Sequence, residues 1–286
     1  MENAVRTDDL CGILTACGAA KSGAVRLSEC RILRQYQIDR LGFTPLCAVI
    51  GIIPYYTPLC DLPGSISAYA RARDYHVLLA DIGQKVLSEC RRRFPENSFR
   101  ICGDTSPIDE IDAAAKAGLG IIGRNRLLIT EEYSSFVFLF ELLTDLCPDD
   151  IPDARVPQTC ENCGACAAAC PGILGGRGDC LSAITQKKGV LTSEEEEKMI
   201  RFGTVWGCDV CQTVCPHTVS ARERGTLTCG NEWFSRDVIP FPTEESVADE
   251  EDFSQRAYNW RGKDVILRNI RLFAERGIAP YEKHTP

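Results

Sequence analysis

Cysteine is the residue type of this 286-residue chain most suited to chemistry, and there are 17 of them. Eight lie in residues 160–215, in two tightly spaced groups with one cysteine between them. The first group reads CENCGACAAACP from Cys160, the second reads CDVCQTVCP from Cys208, and Cys180 lies between them. The spacing C-x2-C-x2-C-x3-C-P is typical of [4Fe–4S] ligands, because short turns let successive thiolates wrap the corners of a cubane. We therefore predict two [4Fe–4S] clusters in this segment.

The fourth cysteine of such a run usually ligates the other cluster in two-cluster ferredoxins. This crossing rule divides the ligands into two sets. The first cluster is assigned Cys160, Cys163, Cys166 and Cys215, and the second is assigned Cys170, Cys180, Cys208 and Cys211. Because Cys180 lies far upstream of Cys208, the intervening insertion, which includes Glu194–Glu197, is expected to loop out.

Structural zinc also uses C-x2-C pairs, and disulfides are a further alternative for a cysteine-rich chain. A zinc site does not require the complete C-x2-C-x2-C-x3-C-P run, and disulfides are rare in the cytoplasm. The other nine cysteines show no ligand spacing, so we interpret them as small buried hydrophobic residues.

Composition places limits on the class of protein. No apolar run approaches the roughly 20 residues that span a bilayer. The N-terminal sequence MENAVRTDDL is acidic rather than apolar, so it does not resemble a secretory signal. We expect a soluble cytoplasmic protein with no membrane association. The net charge of −8 argues against a broad nucleic-acid-binding surface but not against a local basic patch.

The remaining elements suggest an α/β layer that precedes the cysteines. Strands are predicted at Ala48–Ile53, Phe99–Cys102 and Phe136–Leu143, from their apolar, β-prone composition. Helices are predicted from Ile66 to Arg93, where apolar residues recur every four positions, and from Pro107 to Lys116. Alternation of strands and helices is typical of an α/β fold.

Three sections follow from these patterns. Residues 1–150 form an α/β section, residues 151–230 the double-cluster section, and residues 231–286 a tail ending in a helix. The first section is far larger than an electron carrier needs, so we expect it to hold a second cofactor or a substrate. The glycine-rich segment Gly118–Gly123 follows a helix rather than a strand, which makes it weak as a nucleotide site but suitable for a flat ligand.

Several segments together resemble the epoxyqueuosine reductase family of iron–sulfur, cobalamin-dependent tRNA-modification enzymes. Besides the cysteine groups, they are YARARDYH from Tyr69, GDTSPIDEIDAAAKAGLGIIGRNRLLI from Gly103, SSFVFLFELLTDL from Ser134, DCLSAITQKKG from Asp179 and YNWRGKDVILRNIRL from Tyr258. The matches run in family order over roughly residues 48–275.

The resemblance implies an α+β protein: an α/β cobalamin-binding domain, a two-cluster ferredoxin-like domain and a helical tail. It implies reduction of the epoxide of epoxyqueuosine in tRNA to the alkene of queuosine. Electrons would come from a low-potential donor such as ferredoxin or flavodoxin and pass through the clusters to cobalamin. We expect a monomer with tRNA as its substrate.

Asp104 falls where the family has its proton donor. Epoxide opening needs an acid, because the oxygen leaves far better as hydroxyl than as alkoxide. A carboxyl that is protonated at neutral pH requires an apolar site or developing negative charge, and Ile101, Cys102 and Ile108 suit an apolar site. The alternative is that Asp104 only caps the turn into the following helix.

The resemblance also implies a set of cobalamin contacts. These are Tyr69, Arg71, Asp74, Tyr75, His76, Gly118, Gly120, Gly123, Arg124, Asn125, Ser135 and Glu141. His76 is not expected to ligate cobalt, because cobalamin in the family lacks a protein axial ligand.

Two alternatives to this function stay open. One is a corrinoid iron–sulfur reductase with a small-molecule substrate. The other is a double-cluster electron carrier that binds no corrinoid, which a divergent N-terminal region and Phe140, at a position where the family usually carries glycine, would permit.

Overall fold

The apolar segments predicted as strands all form strands. The structure, a computed structural model, describes residues 5–280. Its strands are β1 (Lys21–Arg26), β2 (Cys47–Pro54), β3 (Phe99–Cys102), β4 (Ile121–Ile122), β5 (Leu128–Ile129) and β6 (Val137–Thr144). Three of them match the predictions to within one or two residues.

The main sheet has the strand order β1-β2-β6-β3, and every neighbouring pair in it is antiparallel. β4 and β5 form a separate small antiparallel ribbon. Mixed α and β structure is therefore confirmed. The antiparallel pairing differs from the parallel arrangement that strand–helix alternation usually gives.

The helices that accompany this sheet are α1 (Thr7–Ala16), α2 (Gln35–Ile38), α3 (Tyr75–Arg93) and α4 (Glu110–Lys116). The predicted helix from Ile66 was too long at its start. A short 3₁₀ turn occupies Ala68–Ala70, and the backbone N–H of Asp74 donates to Gln255, so the helix begins only at Tyr75. Similarly, α4 begins at Glu110 rather than Pro107, because the Asp109 side chain caps it by accepting from the N–H of Asp112.

The two faces of the sheet are packed differently. Alternate strand residues point to opposite faces, and one face, with Ile50 and Leu143, packs against the alanines of α4. On the other face, Phe140 stands opposite Gly51 in the register, and a Cβ on Gly51 would overlap the Phe140 ring. The ring therefore fills the space that the missing side chain leaves, and Phe140 is 1% exposed. Phe140 is part of the core in this structure.

Contacts divide the chain into two compact units. The first comprises the residues up to Pro54 together with Val77–Cys163, and the second comprises Tyr55–His76 and the residues from Gly164 onwards. Residues 1–4 and 281–286, which belong to the first and last predicted sections, lie outside the described residues. The three predicted sections were defined by expected chemistry, and they stay a prediction.

The second unit is largely helical around an aromatic core. Its helices are α5 (Ala165–Ala169), α6 (Leu181–Thr185), α7 (Ser193–Arg201), α8 (Val210–Thr213), α9 (Pro216–Glu223), α10 (Glu244–Ala248), α11 (Glu250–Ser254) and α12 (Lys263–Glu275). Trp206, Tyr258 and Phe273 are buried at the centre. The amide of Asn269 on α12 donates to the carbonyls of Thr185 and Val205, which ties this helix to the cysteine-bearing segments.

The insertion around Glu194–Glu197 was expected to loop out, and that expectation was wrong. These residues lie in α7, which begins with a capping box at Thr192. Met199 of the same helix is fully buried in the core. An acidic outer face with a buried methionine is the pattern of a packed surface helix. None of the helices in residues 5–280 is both long and apolar enough to cross a bilayer.

Candidate cluster ligands and acid site

The first two candidate ligands lie at the end of the first unit. Thr159 forms a β-bridge with Ile122, and the backbone N–H of Cys160 donates to the Ile122 carbonyl. The N–H of Arg124 in turn donates to the sulfur of Cys160 over 3.2 Å. An N–H directed at the sulfur stabilises its thiolate form. Cys163 is exposed.

The other candidate ligands lie at helix ends in the second unit. Cys170 follows the last residue of α5, Cys211 lies within α8, and α5 packs against α8. Burial raises the pKa of Cys211 to about 12, and the neighbouring thiols of Cys170 and Cys180 raise it further. Burial likewise raises the pKa of Cys208 to about 12, with Cys211 and Cys180 among its neighbours. Cys170, Cys180, Cys208 and Cys211, the predicted second set, thus lie near one another, and Cys166 of the predicted first set lies near Cys211 as well.

This donor set fits an iron–sulfur cluster better than a single ion. No group of three or more cysteine, histidine or acidic side chains among the described residues converges closely enough to bind one metal ion. A cubane is several ångströms across and holds its thiolates further apart than one ion does. As free thiols at about pH 7, Cys208 and Cys211 would be neutral, so their ligand role requires the positive charge of bound iron.

Asp209 is a site residue that the sequence analysis missed. It lies between two candidate ligands, Cys208 and Cys211, and its carboxylate accepts from the Ser67 hydroxyl and from the backbone N–H of Ala68 over 2.6 Å. Burial raises its pKa even though these donors favour the ionised form. Asp209 therefore ties the second cysteine group to the turn at Ser67. A lone Asp inside a C-x2-C pair gave no signal of this role.

Asp104 occupies a tight turn immediately after β3. Its backbone has φ of 54°, in the left-handed region that Asp tolerates better than most residues. Its side chain is exposed, so the apolar burial that was expected for it is not present. The helix cap is supplied by Asp109 instead. The turn thus presents a carboxyl at the surface of the first unit.

Burial that favours protonation occurs next to Asp104, at Glu110 and Glu141. Burial raises the pKa of Glu110 to about 7. It also raises the pKa of Glu141 well above the ordinary value, and the neighbouring carboxyl of Glu110 raises it further. Glu141 lies on the central strand β6, opposite Ile50 on one side and Cys102 on the other. Glu141 was predicted only as a cofactor contact, and Glu110 was not predicted as a site residue.

The predicted cobalamin contacts of the second unit differ in their hydrogen-bond partners and in their exposure. The guanidinium of Arg71 donates to the carbonyls of Leu59, Cys60, Leu62 and Ile66, and the residue is 8% exposed. The Tyr69 hydroxyl accepts from the indole N–H of Trp206. Asp74 accepts from the backbone and the ring of His76, and the His76 ring stacks on Tyr75. Among these residues, His76 presents the most exposed side chain.

The predicted contacts of the first unit lie mostly in the loop after α4. Gly118 has φ of 81°, and a Cβ on Gly120 would crowd the Ile129 carbonyl, so both glycines are required by the loop itself. Gly123 is buried beside Asn125, whose side chain accepts from the N–H of Leu127. Arg124 is exposed and donates to Asn162. Ser135 and Glu141 are almost wholly buried. Their role as cofactor contacts stays a prediction.

An open cleft of about 760 Å³ lies beside Cys180 in the second unit. Its lining includes Lys187, Lys188 and Arg261 as well as Glu195. Lys187 pairs with Glu195, whereas the structure shows no ion pair for Lys188 within residues 5–280. The cleft therefore combines a candidate cluster ligand with basic side chains.

Comparison with known proteins identifies relatives of this chain. The epoxyqueuosine reductase of Lactococcus garvieae is 32% identical over 215 residues, which are 72% of this chain and 60% of that protein. The chain thus spans less than two thirds of this relative's length. No family model matches the chain.

Solved structures show the same fold. The epoxyqueuosine reductase of Streptococcus thermophilus superposes with a TM-score of 0.72 at 23% identity, covering 92% of this chain and 79% of that one. An epoxyqueuosine reductase crystallised with an epoxyqueuosine-modified tyrosine tRNA stem loop superposes with a TM-score of 0.71 at 21% identity, covering 93% and 80%.

The fold and the cysteine groups place the chain in a class: a mixed α and β protein with ferredoxin-type cysteine spacing. Within that class, the chain is a homologue of the epoxyqueuosine reductases, as its motifs predicted.

Proposed function

We propose that this chain is an epoxyqueuosine-reductase-like oxidoreductase that reduces the epoxide of epoxyqueuosine in tRNA to queuosine. The reaction consumes two electrons and two protons, and it releases the epoxide oxygen as water. The observation that carries the proposal is the gathering of Cys170, Cys180, Cys208 and Cys211 in a chain that has the epoxyqueuosine reductase fold.

Two [4Fe–4S] clusters and cobalamin are the proposed cofactors. The second cluster would use the four cysteines gathered in the second unit, and the first would use Cys160, Cys163, Cys166 and Cys215, a set that rests on spacing alone. When bound, these groups would supply electrons of low potential. A ferredoxin or flavodoxin as electron donor, and a cytoplasmic monomer as the working form, complete the proposal.

Asp104 is the proposed proton donor. Its exposed position at a turn lets the carboxyl approach a substrate, and protonation of the leaving oxygen is the step that the reaction requires of the protein. A relative from Bacillus subtilis has been crystallised with its catalytic aspartate loop swung out of the active site. That state supports a role for an aspartate on a movable turn.

The cleft beside Cys180 is the proposed contact for tRNA. A tRNA-modifying enzyme must neutralise phosphates, and Lys188 offers an exposed cation at the edge of the cleft. The relative crystallised with a modified tRNA stem loop supports this substrate class. A localised patch of this kind is compatible with the net charge of −8.

Anaerobic titration of cob(II)alamin into cluster-replete protein tests the cofactors, followed by electron paramagnetic resonance and visible absorption. We expect binding of about one corrinoid per chain, after which an assay with epoxide-bearing tRNA separates the proposed reaction from a small-molecule reductase. Unchanged cob(II)alamin spectra with both clusters intact would remove the corrinoid mechanism and favour the electron carrier.

Asp104→Asn tests the proton donor, with Asp109→Asn as its matched control. Asparagine at position 109 still caps α4, so that variant should keep turnover. Asp104→Asn should lower the turnover number by about 10²–10⁴-fold, the usual contribution of general acid catalysis, with unchanged iron content. Retained turnover in Asp104→Asn would remove Asp104 from the mechanism.

A further inference from the structure

Glu141 is a charged residue type placed where charge is costly. It is 0% exposed in the middle of the sheet, and neither of its carboxyl oxygens has a hydrogen-bond donor in the described part of the chain. The hydroxyl of Ser106 lies near it, but outside hydrogen-bonding geometry with either oxygen. An ionised carboxylate in this position would lack both solvent and donors, which is strongly unfavourable.

Glu110 faces Glu141 from the first turn of α4. One of its oxygens, Oε1, is also buried without a donor. The backbone N–H of Asp104 lies near its carboxyl, so the pair lies beside the turn that carries the proposed proton donor. Two facing carboxylates repel each other, whereas one added proton provides a donor that both groups lack.

The surroundings supply little positive charge to replace that proton. Arg34 is the cation that acts on Glu110, and its guanidinium donates to the Ser106 carbonyl. Asp104 adds negative charge beside both glutamates. Burial raises the pKa values of Cys102 and Cys30 to about 12, so both thiols are neutral, and Arg100 is the other cation near Cys102.

We propose that Glu110 and Glu141 share one proton at neutral pH and that the protonated pair positions the Asp104 turn for proton donation. The second half of this statement rests on the proposed function, because it assigns Asp104 to the reaction. Glu110 and Glu141 are positioning residues: they act through the Asp104 backbone and do not reach the substrate. Loss of the shared proton makes the glutamates repel each other and releases the turn.

Infrared spectroscopy of the resting protein tests the pair without any turnover. The C=O stretch of a protonated carboxyl should be present at about pH 6, where ordinary carboxyls are ionised, and should weaken as the solution becomes alkaline. In Glu141→Gln the band should be absent, because the amide donates to Glu110 and keeps it ionised. Asp112→Asn, which changes an acidic residue of the same helix, should leave the band unchanged.

The pH dependence of turnover tests the positioning role. Wild-type turnover should fall in alkaline solution as the pair loses its shared proton. Glu141→Gln, a permanent donor, should abolish that fall with pH, whatever its turnover at about pH 6. Glu110→Ala should lower turnover at least about tenfold across the range, because the Asp104 turn loses the carboxyl that lies beside it.

Absence of the carboxyl band in the wild type at about pH 6 would overturn proton sharing. A wild-type pH profile in Glu141→Gln would overturn the positioning role. If the wild type itself does not reduce epoxyqueuosine, the proposed function fails and the positioning role fails with it, whereas the infrared band still decides whether the two glutamates share a proton.

Discussion

The cysteines of the second unit and the carboxyls of the first unit are brought together in different ways. Cys208 and Cys211 lie three residues apart, so the short segment that leads into α8 fixes their separation. Glu110 and Glu141 lie on a helix and a strand separated by the loop after α4 and by β4 and β5. The cysteines need only local structure to approach each other, whereas the carboxyls need the packing of α4 on the sheet.

The cysteines and the carboxyls also differ in what sets their protonation state. The cysteines require iron to become thiolates, so their region depends on a cofactor for its charge state. The carboxyls require a proton, which solvent provides. A local motif with an external cofactor is therefore visible in sequence, while a site made by tertiary packing and completed by a proton is not.

Replacement of a single cluster ligand should have the largest effect on the second unit. Cys211→Ser is expected to remove about half of the iron and about half of the visible absorption, because one of the two proposed clusters loses a ligand. Cys229→Ser changes a buried cysteine without ligand spacing and should keep all of the iron. Full iron content in purified Cys211→Ser protein would contradict the ligand assignment.

Particular residues show where sequence reasoning succeeds and where it stops. The strand at Cys47–Pro54 was predicted at Ala48–Ile53, because a run of apolar residues next to a proline is a local signal. The helix start at Tyr75 was missed, because the turn before it is held by Trp206 and Gln255, which lie far away in sequence. Asp104 was found by resemblance, but its exposure and the buried pair beside it required the register of β6 against β3.

Phe140 and Gly51 lie far apart in sequence but opposite each other in the sheet, so they test how strongly the first unit depends on long-range packing. Phe140→Ala should lower the free energy of unfolding by about 3–5 kcal/mol, because the ring fills the space over Gly51. Gly51→Ala alone should cost about 1–3 kcal/mol through overlap with that ring. Chemical denaturation of both variants and of the double variant measures the coupling.

The double variant should lose less stability than the two single variants together, because the new methyl group no longer meets a ring. Simple additivity would mean that Phe140 and Gly51 do not pack as the structure shows. The same result would weaken the view that the first unit is assembled by long-range pairing.

The pH dependence of stability is the finest test of the comparison, because a difference between two proteins isolates the contribution of the carboxyl pair. The pKa of Glu110 is about 7 in the folded chain and near 4.5 when unfolded, so the folded state binds more protons between these values. Stability from this group is complete below about pH 4.5 and is lost as pH rises towards 7, by at most about 3 kcal/mol. Carboxyls with lowered pKa values, such as Asp145, act in the opposite direction, but only in more acidic solution.

Denaturation of the wild type and Glu141→Gln at about pH 5 and about pH 7 isolates the effect, because subtraction removes all other titrating groups. A smaller loss in Glu141→Gln is expected, since the amide at position 141 donates to Glu110 permanently and favours its ionised form. Equal losses in the two proteins would mean that the two glutamates titrate independently, and the contrast between the two units would then rest on packing alone.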